Sequence, residues 1–189
     1  IPEYGIIPKR KSAADQFSLA ESYLRDEGES EKYLMSLLRV YYYFSDRTDV
    51  ESEVFMSRAL YRAAAGFLSQ GDSARVKEAR NLLSSVSKKK DSFSSVTRAA
   101  LDLLVEGKPP FAAYSAVVRE QGKERADMVY LLDDAAQVCA ASKDTKTAVG
   151  LYLRIVKEYP SYKKIGAVNY ALGQLVPENA GDISPYYLE

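Results

Sequence analysis

Apolar residues return at three- and four-residue intervals along nearly the whole chain, and no stretch sustains the alternation of a half-buried strand. The pattern predicts helices at 13–27, 30–45, 50–70, 73–87, 92–106, 110–121, 125–142, 145–159 and 162–176, and with them an all-α fold of about nine helices. Several boundaries carry their own chemistry. Gly28, Gly71, Gly107 and Gly122 fall where helices should stop, because glycine enters the left-handed conformation without steric cost. Asp72, Asp91 and Asp144 stand near the following starts, as capping residues or first-turn acids. Pro109-Pro110 can open a helix, whereas Pro160 and Pro177 end one. Residues 1–12, with Pro2, Gly5 and Pro8, read as an extended N-terminal arm, and 177–189, with Pro177, Gly181 and Pro185, as a C-terminal tail.

The stretch Ala148–Gly173 shows how the helices group. Ala148, Tyr152 and Ile155 share one helical face, Tyr159-Pro160 closes that helix, and Leu172-Gly173 lies inside the next. In a helix-pair register of about 34 residues, Pro160 takes the late proline position and Ala148 and Tyr152 the small and aromatic positions of the second helix. Counting back, that unit begins at Val129, with Ala135, Ala136 and Cys139 packing its first helix. Leu172-Gly173 belongs to a unit starting near Gly166. Phe67 with Gly71-Asp72 marks one from Ser57, Ala100, Leu104 and Gly107 one from Phe93, and Ala20, Tyr23 and Gly28 one from Ala13. The starts at 57, 93, 129 and 166 lie 36, 36 and 37 residues apart.

On these residues the chain resembles the tetratricopeptide repeat family over most of 13–176. Its segment Ala148–Val176 is similar to the variety found in bacterial cell-envelope assembly and lipoprotein factors. It departs from the family pattern where the first-helix aromatic is replaced by Leu60, Val96 and Leu132. The resemblance implies a right-handed solenoid of four or five stacked antiparallel helix hairpins, with a concave face formed by the first helix of each pair and a protein or peptide as its guest. It implies a periplasmic or cell-envelope setting over a cytoplasmic one. It also places a partner-binding groove on Phe17 and Glu21, Arg58 and Tyr61, Tyr130, Asp133 and Gln137, and Tyr170 and Gln174. In the unit from Phe93 the same positions are Thr97, Leu101 and Leu104, which suit a sealed groove or a slipped register.

Composition then narrows the function. The 26 basic and 26 acidic side chains balance, so no global field favours nucleic acid or an anionic membrane. Histidine is absent and cysteine occurs once, which removes the commonest general base and metal ligand, an internal disulfide and a thiolate cluster. Cys139, among small apolar residues, reads as a core residue. Asp133-Asp134 and Asp46 with Asp49 offer carboxylates without a second convergent cluster, and Gly107-Lys108 lacks the rest of a phosphate loop. The expectation is a non-enzymatic binding scaffold with no cofactor, metal or small-molecule substrate. The alternative is a regulatory or substrate-presenting region of a larger enzyme. No apolar run reaches the roughly 20 residues of a membrane span. The chain opens on Ile1 rather than Met, so a signal peptide or a lipid anchor outside it stays open.

Three further features attract attention. Tyr41-Tyr42-Tyr43-Phe44 cannot all face one side of a helix, so these rings either wedge between units or form an alternative partner patch. Lys88-Lys89-Lys90 reads as solvated lysines complementing a helix C-terminus. Lys9-Arg10-Lys11 is a short basic arm suited to an acidic partner or lipid surface.

Overall fold

The computed structural model describes Pro2 and residues 4–112, 115–116 and 127–176. Among the described residues the chain is all-helical, with eight helices and no strand. They are α1 (Ala13–Glu27), α2 (Glu31–Phe44), α3 (Val50–Ser69), α4 (Ser73–Val86), α5 (Phe93–Val105), α6 (Met128–Ala141), α7 (Thr145–Glu158) and α8 (Ile165–Leu175). These eight lie where the periodicity places them, to within three residues at each end. The helix expected at 110–121, the stop at Gly122 and the tail 177–189 lie wholly or largely outside the described residues. The chain divides into two compact units, 1–108 and 109–189, with α1–α5 in the first and α6–α8 in the second.

Side chains start most of these helices. Ser12, Ser30, Asp49, Asp72, Ser92 and Asp144 each accept a hydrogen bond from the backbone N–H three residues on, satisfying one of the donors that a helix start leaves without a partner. Asp91, expected near the start of α5, is not its cap; the neighbouring Ser92 is.

Three helix ends share one geometry. After α3 the Asp72 N–H donates to Phe67 C=O at 2.9 Å and Gly71 N–H to Leu68 C=O at 3.1 Å, with Gly71 at φ 73°. After α5 Lys108 bonds Leu103 and Gly107 bonds Leu104, at 2.9 and 3.0 Å, with Gly107 at φ 81°. After α6 Asp144 bonds Cys139 and Lys143 bonds Ala140, at 2.9 and 3.1 Å, with Lys143 at φ 66°. Paired bonds around a left-handed residue use carbonyls that the helix end would otherwise leave open. The left-handed residues Gly71, Gly107 and Lys143 recur every 36 positions.

In the first unit α3 is the centre. It packs against α1, α2, α4 and α5, and every residue from Met56 to Phe67 is buried. That run spans more than three turns, so the helix has no solvent face there. Alanine and glycine let its neighbours approach: a Cβ added to Gly66 would overlap the fully buried Leu34 side chain of α2. The N-terminal arm lies against this unit. Tyr43 donates its O–H to Ile7 C=O at 2.8 Å, and the buried Gln16 accepts from Arg10 N–H at 2.7 Å and donates to Pro8 C=O at 3.1 Å. Ile7 is buried by this docking.

In the second unit α7 packs against both α6 and α8. Leu132, Ala135, Ala136 and Cys139 of α6 and Ala148, Leu151, Tyr152 and Ile155 of α7 supply its core, whereas Leu172 is half-buried and Gly173 exposed. The last helix, α8, lies on α7, with Val168 as its one buried residue.

Lys143 occupies a conformation that costs a residue with a Cβ about 1–2 kcal/mol. Lys143→Gly is therefore expected to stabilise the chain by about 1 kcal/mol in urea unfolding, and Gly71→Ala to destabilise it by a similar amount. Gly66→Val should cost about 1–3 kcal/mol by overpacking the α2–α3 crossing; an unchanged midpoint would show that the crossing yields.

Candidate functional site

Residues expected in one groove have three different fates. Phe17, Arg58 and Tyr61 are 1%, 2% and 3% exposed, so none of these offers the open surface expected of it, and Thr97 and Leu101, where a sealed groove or a slipped register was expected, are buried as well. The physical reason is the central position of α3, whose middle turns have no outward face. Leu104 is half-buried.

What gathers at Phe17 is an interior cluster. The Arg58 and Arg62 guanidinium groups lie 4.7 and 4.9 Å from the centre of the Phe17 ring, and Phe55 meets that ring at 5.5 Å with a 59° tilt. Arg62 also pairs with Glu21 at 3.3 Å. A buried guanidinium needs a counter-charge or an aromatic face to offset its lost hydration, and Glu21, Phe17 and Phe55 provide both. Tyr33 is buried beside this cluster. Burial pushes its phenol up to about 12, against an opposing pull from Arg62. Arg62 and Phe55 were missing from the expected set. The signal for Arg62 is its four-residue spacing from Arg58, which puts both cations on one face of a run that is otherwise small or apolar.

A second cluster forms in the other unit. Tyr130 and Asp133 of α6 are half-buried and meet Tyr162, from the α7–α8 connection. Tyr162 donates its O–H to Asp133 Oδ2 at 2.7 Å, and its ring meets Tyr130 edge-on at 5.7 Å. Tyr162 was also not expected; the only trace of it in sequence is its place just after the helix-ending Pro160. Gln137 is half-buried on the same helix. Tyr170 and Gln174 of α8 differ from all of these. Both are exposed, Tyr170 by 64%, and they stand one turn apart on one face.

The aromatic run at the end of α2 divides as helix geometry requires. Phe44 is buried and Tyr43 holds the N-terminal arm, with Lys9 Nζ 5.4 Å from the Phe44 ring centre. Tyr42 is 43% exposed, stacks edge-on with Tyr41 at 5.8 Å and donates to Glu78 of α4 at 2.6 Å. That hydrogen bond to a carboxylate, with burial second, pushes its phenol up to about 12. The run thus ties α2 to α4 and to the arm, leaving Tyr42 as its exposed ring.

Cys139 is buried, and burial, with the Asp144 carboxylate second, pushes its thiol up to about 12. A thiol held neutral in this way is no nucleophile at neutral pH. Among the described residues no three acidic or cysteine side chains group to hold a metal ion, and no helix is long and apolar enough to cross a membrane. No family model, curated protein or solved structure matches the chain.

The raised phenols fix an alkaline dependence. Tyr33 and Tyr42 move from an ordinary value of 10.0 to about 12 in the folded chain. The stability held by their neutral forms is complete below pH 10 and drains away as pH rises toward 12. Urea midpoints should fall across that window, and Tyr42→Phe should remove part of the slope; a flat profile would contradict the assignment. Cys139 should react with a thiol-specific disulfide reagent at pH 8 only after unfolding.

Proposed function

We propose that this chain is a non-catalytic protein-binding scaffold whose helix hairpins stack as tetratricopeptide-like units of a right-handed solenoid. The observation that carries this reading is the helix-end turn repeated at Gly71, Gly107 and Lys143, with the same pair of backbone bonds at a constant 36-residue interval. A repeated turn at fixed spacing is what a chain of similar hairpins requires. The packing of α3 on both α1 and α5 supports it, because stacked hairpins bring successive first helices side by side.

The partner is a protein or peptide segment, and the surface that recognises it is the exposed face of α8 carrying Tyr170 and Gln174. A large exposed ring next to an amide suits recognition, since tyrosine supplies contact area at little entropic cost. The positions Phe17, Arg58 and Tyr61 serve instead as interior joints of the array.

Peptides selected from a displayed library against the purified chain test this reading. Tyr170→Ala with Gln174→Ala should weaken the selected peptides by about 2 kcal/mol in fluorescence polarisation, while Tyr42→Ala leaves them unchanged. Equal binding by the Tyr170/Gln174 variant would remove α8 as the recognition face.

A further inference from the structure

A second surface lies apart from the aromatic ones, inside the first unit. The end of α4, the connection 87–92 and the start of α5 line a solvent-open cavity of about 380 Å³. Lys88, Lys89, Lys90 and Arg98 line it, and no acidic side chain does. In a chain of zero formal charge this is a local excess of four cations. None of the four makes an ion pair among the described residues, so their charge is not already spent.

Hydrogen bonds tie the walls together. Arg98 reaches from α5 to donate to Ser84 Oγ of α4 at 3.3 Å, and both residues line the cavity. Lys89 N–H donates to Ser87 Oγ at 3.2 Å, Ser92 N–H to Lys89 C=O at 3.2 Å, and Ser94 Oγ to Ser87 C=O at 3.5 Å, which pins the lysine turn at both ends. The hydroxyls of Ser84, Ser87 and Ser95 add small polar groups between the cations. The N-terminal end of α5 is not itself the attraction, because Glu53 Oε1 already accepts from Ser94 N–H at 3.3 Å. The four side-chain cations are.

We propose that this cavity binds a phosphomonoester, presented as the phosphorylated serine or threonine side chain of a partner protein. A phosphate dianion offers three acceptor oxygens, which one guanidinium, mobile ammonium groups and hydroxyls together can satisfy. The alternatives fit less well. A bilayer calls for basic residues beside exposed apolar ones, whereas here the cations line a concavity whose one apolar wall residue, Leu83, is buried. A nucleic acid strand calls for rings on which bases stack, and no aromatic residue lines the cavity.

The proposal stands independently of the α8 surface and is tested on the full chain. The probes are a fluorescein-labelled peptide with a single phosphoserine and its unphosphorylated twin, read by fluorescence anisotropy. Inorganic phosphate serves as competitor, and phosphatidylserine vesicles are the second arm. The phosphopeptide should bind at least about tenfold tighter than its twin, and more weakly as salt rises. Arg98→Gln and Lys89→Gln, both at exposed positions, should each reduce that binding by about tenfold with unaltered thermal melts. Tyr170→Ala should leave it intact. Equal binding of the two peptides, or indifference to Arg98→Gln, overturns the proposal. So does displacement of the label by inorganic phosphate at near-stoichiometric concentration, which would make a free anion the ligand. Charge-dependent binding confined to the vesicles overturns it in favour of a lipid surface.

Discussion

The constraint on which the first unit depends is the complete burial of the middle of α3. A helix enclosed on all sides must bury whatever its sequence carries, and this one carries Arg58 and Arg62 within a run that is otherwise small or apolar. Two guanidinium groups withdrawn from water are tolerable only with nearby compensation, and the Phe17 and Phe55 rings and the Glu21 carboxylate are positioned to give it. That requirement fixes the rotation of α1 relative to α3. Gly66 fixes a second crossing, because Leu34 of α2 occupies the space where a side chain would stand. With α1 and α2 placed, the arm docks on the end of α2 through Tyr43 and on α1 through Gln16.

The same enclosure divides the aromatic and charged residues into interior and exterior sets. Residues assigned to a single groove by register turn out to be joints in α1 and α3, a half-buried pair around Tyr162 in α6, or truly exposed side chains on α8. The exterior set comprises Tyr170 and Gln174 on α8 and, with a different chemistry, the basic concavity between α4 and α5. Neither asks for a nucleophile, and the one thiol in the chain is held neutral by burial.

Local chemistry made much of this legible in advance. Helix limits followed from apolar periodicity and from Gly28, Gly71 and Gly107, all of which adopt positive φ. Cys139 read as a core residue because its neighbours are small and apolar, and it is buried. What was not legible is which cations and rings meet. Arg62 pairs with Glu21 across 41 positions and Tyr162 with Asp133 across 29, and no pattern within one helix encodes such a separation. Lys88-Lys89-Lys90 shows the same limit: three lysines at a helix end read as solvated charge until Arg98 and the serines of α5 are placed opposite them.

The amino-acid order alone determined that the described residues are helical and, to within three residues, where their helices begin and end. These are properties of nearest neighbours: capping hydroxyls and carboxylates, the φ freedom of glycine and a 3.6-residue period. Tertiary structure decided which face of each helix is covered. Burial depends on the summed approach of several helices, and α3 is enclosed by four of them where a register alone left it an open face. Enclosure of Arg58 and the convergence of four cations on one cavity are consequences of that packing, and the exposure of Tyr170 follows from how α8 lies on α7.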